Sequence, residues 1–388
     1  MSATPETDAA PGAEVRFLAE GELAGLVADL ATAAVDVIGP VAAEPASPAA
    51  AATDVLHGRA ALEYRALAPG VSPLLAPGMP RLSLKGFFLP QTEALFAWRQ
   101  HGTEVEIERG APSAPARVAL GVKPCDAAAL EIVDHVMNWD YADGPWNERR
   151  AATTVFTLAC PVEDDSCFCT AVGAAPDGTR GADGLLTPVA GGWLVEPTTE
   201  KGAAFVAEHA ARFGPASPAL VDEGAEARRD ATARVAGHLE IDAESVREWI
   251  AAHFDDPLLA ALGVRCHGCG TCASVCPTCH CFDIVDETDG VGKGTRRRSW
   301  DTCQTGKFTL HASGHNPRAD QNARFRQRLN HKFSIYPLRF GEVLCTGCGR
   351  CSRECHAGQD LVEMLAAIDV AARRPAAVGA ETESGGPA

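Results

Sequence analysis

Cys266, Cys269, Cys272 and Cys276 are separated by two, two and three residues, and Pro277 follows the last of them. This is the spacing of a [4Fe–4S]-binding run. Three thiolates on one tight loop hold three corners of a cubane, and the fourth reaches across to a second cluster. A partner run is therefore expected, and Cys345, Cys348, Cys351 and Cys355 supply it. The exchange assigns Cys266, Cys269, Cys272 and Cys355 to one cluster, and Cys345, Cys348, Cys351 and Cys276 to the other. Gly268, Gly270, Gly347 and Gly349 let the backbone approach sulfur and offer it N–H groups, which help set a potential. His356 stands where Pro277 stands in the first run, and neither is a ligand. Zinc favours two separated Cys-x-x-Cys pairs and fits this pattern less well. Disulfides fit less well still, because the chain starts without signal-peptide character.

A second group of cysteines has no fixed spacing. Arg117 to Val122 is an apolar run of strand length, ended by Lys123-Pro124, and Cys125 follows. Thr153 to Leu158 is another such run, and Cys160-Pro161 ends it. With a helix from Asp126 to Met137 between them, capped by Asp126, these form a parallel βαβ unit. Cys125 and Cys160 then lie at the carboxyl edge of the sheet, where such folds build sites. Cys167 and Cys169 follow on a polar, acidic loop, so the four thiols are candidates for a third iron–sulfur centre. The alternative is that some are buried as small apolar side chains, a common fate of cysteine. Three further cysteines, Cys279, Cys281 and Cys303, are spare to both groups. They either pack beside the clusters or serve another centre.

The elements that position these residues are expected to form an α+β protein. Residues 1–13 and 372–388 read as disordered tails, residues 14–257 as an α/β domain, and residues 258–371 as an α-helical dicluster ferredoxin-like domain. An amphipathic helix is expected from Glu14 to about Ile38, stopped by Gly39-Pro40, and a loop from Pro45 to Ala52. Leu82 to Leu89 reads as extended, Thr92 to Arg99 as helical and Glu104 to Glu108 as extended. Gly191-Gly192 marks a hairpin between Leu185–Val189 and Trp193–Glu196. Helices follow from Thr198 or Thr199 to Phe213, from Glu223 to His238 and from Asp242 to Phe254, with the domain joint at Asp255-Asp256-Pro257. A last helix runs from Gly358 to Ala372.

The 388 residues carry a formal charge of −17, which argues against general nucleic-acid binding. No apolar run is long enough to span a bilayer. The fifteen cysteines point to a reducing compartment, the cytoplasm. Residues 291–340 reverse the acidic balance, with Lys293, Arg296, Arg297, Arg298, Arg324, Arg326, Arg328 and Lys332 among them. This suggests a docking surface for an acidic partner or neutralisation of anionic clusters. His311, His315 and His331 are read as structural. No G-x-G-x-x-G, Walker loop or nucleophile elbow is present, so no flavin or NAD is expected on this chain.

The segments GVKPCDAAAL (121–130), CPTCHCFDIVDE (276–287), WDTC (300–303), FTLHASGHNPR (308–318) and GEVLCTGCGRC (341–351) resemble the iron–sulfur beta subunit of cytoplasmic sulfhydrogenases, NAD(P)-linked [NiFe] hydrogenases. The electron-transfer subunit of anaerobic sulfite reductase is a relative of that family. The resemblance covers roughly residues 85–365. The family commonly has Cys-Pro where this chain has Cys355-His356, a difference that touches only local geometry. The resemblance implies an electron-transfer subunit between a flavin subunit that handles NAD(P)H and a [NiFe] hydrogenase module, with no catalytic residue of its own. The same architecture serving a sirohaem sulfite reductase is the alternative. An alternative of another class is a stand-alone polysulfide-reducing enzyme using Cys279, Cys281 or Cys303. A zinc-dependent scaffold or nucleic-acid binder built on the basic insert is a fourth reading.

Overall fold

The computed structural model describes residues 14–43, 62–109, 114–162 and 164–374. The N-terminal tail, residues 375–388 of the C-terminal tail and the loop expected from Pro45 to Ala52 lie outside them, and Ala372 ends a helix. Twelve strands are present among these residues: Arg16–Ala19 (β1), Asp36–Ala42 (β2), Leu62–Ala66 (β3), Thr92–His101 (β4), Glu104–Arg109 (β5), Arg117–Val122 (β6), Thr153–Leu158 (β7), Gly184–Val189 (β8), Gly192–Pro197 (β9), Gly214–Pro215 (β10), Phe282–Gly290 (β11) and Lys293–Trp300 (β12).

Eight strands form one sheet in the order β10-β1-β9-β8-β7-β6-β2-β3. The centre is parallel: β2 with β6, β6 with β7, and β7 with β8. β6 and β7 are buried along nearly their whole length because helices cover both faces of the sheet. On one face Leu26, Leu30, Phe156 and Phe205 share a core, and on the other Leu130, Val133, Trp146 and Val155 share a second. The βαβ unit is as expected, with the helix at Pro124–Met137. The hairpin of β8 and β9 turns at Gly191, whose φ is +78°.

Three elements before the second cysteine-rich region differ from the sequence expectations. The helix expected from Glu14 to Ile38 is a strand, a helix at Leu23–Thr32 and another strand. Ala34 takes a positive φ of 55° and ends the helix, and Val37 and Ile38 pair with β6. Pro40 is accommodated because β2 bonds β6 only through Ile38, so no ladder N–H is needed there. Thr92 to Arg99 is β4 rather than a helix, because it is clasped by β12 and β5 and pairing overrides local pattern. Leu84–Phe87 is one 3₁₀ turn rather than extended, and Leu84, Phe88 and Leu89 are buried.

The second sheet runs β11-β12-β4-β5, antiparallel throughout. It draws two strands from each side of the joint expected at Asp255–Pro257. The region expected to be α-helical therefore contains a β-hairpin. Cross-strand charge explains it: Arg296 pairs with Asp286 and Arg297 with Glu287. The joint itself is a helix start, Pro257–Gly263, capped by Asp256. The helix Ala243–Ala252 lies before it but packs with the cluster region, where Val246, Ile250, Phe325, Leu329, Leu365 and Ile368 form one core.

Candidate metal centres

Both cysteine runs fold the same way. Gly268 and Gly270 have φ of +72° and +79°, Gly347 and Gly349 of +64° and +72°. Each second glycine opens a short helix, Thr271–Ser274 or Arg350–Arg353, that carries the third cysteine of its run. The two short helices pack against each other. Cys355 thereby reaches the first loop, and Cys266, Cys269, Cys272 and Cys355 line one cavity of about 100 Å³. His356 lines the same cavity. Gln321 Nε2 donates to Cys266 Sγ at 3.2 Å, and the Gln359 N–H to Cys355 Sγ at 3.4 Å.

The other exchanged set is also drawn together. Cys276, Cys345, Cys348 and Cys351 lie within electrostatic reach of one another, and burial pushes Cys345 up to about 11 and Cys351 to about 12. A buried thiol resists ionisation because its thiolate would lack solvation. Binding iron requires that proton to leave. Buried cations meet this need. Lys332 is 3% exposed and Arg328 6%. Lys332 Nζ donates to Cys276 Sγ at 3.4 Å, and Arg328 Nη1 to Cys279 Sγ at 3.4 Å. Neither has a carboxylate partner among the described residues. A buried cation without an anion is costly, so these two fit an anionic cluster held by the surrounding thiolates. Among the described residues no three His, Cys, Asp or Glu side chains are placed to hold a single ion.

Residues 265–359 match the 4Fe-4S dicluster domain family. Over 287 residues the chain is 29% identical to the sulfhydrogenase 2 subunit beta of Pyrococcus furiosus, covering 72% of this chain and 81% of that protein. This chain is an iron–sulfur electron-transfer protein related to a sulfhydrogenase beta subunit. The dicluster match encloses both runs, the hairpin of β11 and β12, and the helix Gln321–Asn330 that carries Arg328.

The sheet-edge cysteines of this iron–sulfur protein are brought together as well. Cys125, Cys160, Cys167 and Cys169 line one pocket, and Cys348 of the second run lines it too. Free space there is about 20 Å³. Burial first, then Cys167 and Cys160, pushes Cys169 up to about 12. Across that pocket Cys125 and Cys348 shift one another, Cys125 well up and Cys348 down to about 6. Arg353 Nη2 donates to Cys167 Sγ at 2.9 Å while Arg353 also clasps Asp164.

Asp126 does not cap its helix, which corrects the expectation. It sits in the first turn, fully buried, and accepts two 2.7 Å bonds from Arg350 and one of 2.9 Å from the Tyr64 hydroxyl. The pair links Cys125 to the second cysteine run. Lys85 is a further residue that no sequence pattern singles out: it is buried, donates to the Cys279 carbonyl at 3.0 Å, and lies 4.0 Å from the Trp300 ring centre. The i, i+4 spacing of Arg324, Arg328 and Lys332 was the available signal for cations on one helix face.

The basic insert divides into two populations. Arg296, Arg297 and Arg298 are spent on Asp286, Glu287, and Glu93 with Asp143. Arg326 pairs with Asp255. Arg328 and Lys332 instead face thiols. Burial holds His331 down to about 3 and His280 to about 4, and their rings meet edge to face at 5.6 Å. No helix among the described residues is long and apolar enough to cross a membrane.

Proposed function

We propose that this chain relays electrons within a multi-subunit oxidoreductase. Cys266, Cys269, Cys272 and Cys355 hold one [4Fe–4S] cluster, and Cys345, Cys348, Cys351 and Cys276 hold the second. Cys125, Cys160, Cys167 and Cys169 hold a third iron–sulfur centre at the sheet edge. The chain itself carries no flavin or nucleotide. The observation that supports this reading most is that Cys125 and Cys348 line one pocket with Cys160, Cys167 and Cys169. It makes the sheet-edge thiols continuous with the second cluster loop, so an electron has a path from one half of the molecule to the other.

The named relative belongs to a sulfhydrogenase, and on that likeness the partners are a flavin subunit that handles NAD(P)H and a [NiFe] hydrogenase module. Iron and acid-labile sulfide per chain, measured on anaerobically purified protein alongside EPR of the dithionite-reduced state, test the proposal. About twelve irons and three interacting signals are expected; about eight would remove the third centre. Zinc in place of iron would sink the relay. Affinity purification from the native host identifies the partners: a nickel-containing subunit is expected, and a sirohaem subunit would reassign the complex.

A further inference from the structure

The two ferredoxin runs and the sheet edge use twelve of the fifteen cysteines. The remaining three do not form one group. The Cys279 sulfur is committed to the second cluster side: it contacts Cys276 and accepts from Arg328 Nη1 at 3.4 Å. Cys281 and Cys303 face each other across the open end of the β11–β12 hairpin. Phe282 pairs with Trp300 at that end, and the Asp301 N–H donates to the Cys281 carbonyl at 3.0 Å. The ladder thus fixes the backbone on which both thiols stand.

We propose that Cys281 and Cys303 are a redox-active dithiol, a two-electron site that forms and breaks a disulfide beside the one-electron clusters. The ladder end and the Asp301–Cys281 backbone bond bring the two residues side by side, and Gln304 Nε2 donates to Cys303 Sγ at 3.4 Å. Both side chains are only partly buried, so a reagent can reach them. The pair is polarised. Each acts on the other: Cys281 is pushed up and keeps its proton, and Cys303 is held down to about 5. A thiolate beside a thiol is the nucleophile-and-resolver arrangement that exchanges with disulfides. No third ligand joins them to close around a single ion among the described residues.

In the exchange, the Cys303 thiolate attacks one sulfur of a substrate disulfide, the S–S bond breaks, and one thiolate leaves. Cys281 loses its proton and attacks Cys303, releasing the second thiolate and closing the Cys281–Cys303 bond. The released proton and one from solvent protonate the two product thiolates. Two electrons, delivered one at a time, then cleave the protein disulfide, and one proton returns to Cys281. The electron source is the reduced clusters: Cys303 lies within electrostatic reach of Cys272, and Cys281 of Cys279. This last step rests on the relay proposed above; the dithiol itself does not.

The test uses the full chain, anaerobically, in buffers of reduced and oxidised dithiothreitol at a series of ratios. Free thiols are trapped with iodoacetamide and peptides are mapped by mass. A Cys281–Cys303 cross-link is expected at the oxidising end and its loss at the reducing end, with iron and sulfide constant throughout. Cys281→Ser and Cys303→Ser should each abolish the cross-link and keep the full iron content. Loss of iron in either variant would make these residues cluster ligands and overturn the proposal. So would no cross-link at any ratio in the unaltered protein, or one that joins Cys279 instead. EPR of the same samples reads the clusters independently. A normal cross-link with no reducible cluster would defeat the relay and leave the dithiol standing.

Discussion

Asp126 and Arg350 are the most buried ion pair of the described residues, at 0% and 1% side-chain exposure. Two charges taken this far from water persist because each satisfies the other and Tyr64 completes the carboxylate. Asp126→Asn leaves Arg350 charged and unmatched beside Cys348. It is expected to cost about 3–5 kcal/mol in a denaturant titration, and adding Arg350→Met should recover much of that. Cys303 has its own pH signature. Its proton affinity is depressed, so the thiolate predominates at neutral pH and is half lost at about pH 5. Iodoacetamide labelling of Cys303 should therefore be flat near neutral pH, fall to half at about pH 5 and decline further below. A labelling rate that rises steadily above pH 8 would mean an unperturbed thiol. The likeness of the two cysteine runs was legible from spacing, and the structure gives both the same glycine-bearing turn and short helix. Asp126, Arg350 and Lys85 were not, because each finds its partner across more than a hundred residues and no local pattern announces the meeting.

The short cluster loops dock onto the sheet-edge loop at close range. A Cβ on Gly347 would come within 2.5 Å of the Cys169 Cα, and Gly347 already holds φ of +64°. The Phe168 N–H donates to the Gly347 carbonyl at 2.9 Å, which shows how near the two backbones run. Gly347→Ala should therefore cost at least about 1–3 kcal/mol from backbone strain alone. It should lower the thermal midpoint and push the Cys167–Cys169 loop away from the second run, read as faster hydrogen exchange at Phe168. β6, β7 and the β8–β9 hairpin were legible because apolar runs bounded by Pro and Gly leave few alternatives. β4 was misread because Leu95, Phe96 and Trp98 fit a helical spacing equally well, and only the partner β12 decides between them. The β11–β12 hairpin was masked by its charges, which satisfy one another across the ladder.

Across the whole molecule, cations and thiols set a condition on assembly. Arg328 and Lys332 sit in the core of the cluster region with sulfur, hydroxyl and carbonyl partners. Removing iron with a chelator under reducing conditions would strip their counter-charge. The expected result is local: residues 257–374 lose exchange protection while β6, β7 and β8, with cores built from aliphatic and aromatic side chains, keep theirs. Uniform protection in the iron-free protein would show that the cations are stable without clusters.

The sheet shared between the two halves also sets an order in time. Thr92 on β4 meets Ser299 on β12, 207 positions later in the chain. During synthesis at roughly 5–20 residues per second, β4 waits roughly 10–40 s for that neighbour. For that interval the nascent chain presents β4 with one open edge, paired only to β5, a template for wrong partners. Ribosome-arrested chains ending before residue 282 should be cut readily by protease within residues 92–109, and chains extending past residue 300 should resist. The second half of this protein would then act on the first as a late-arriving clasp.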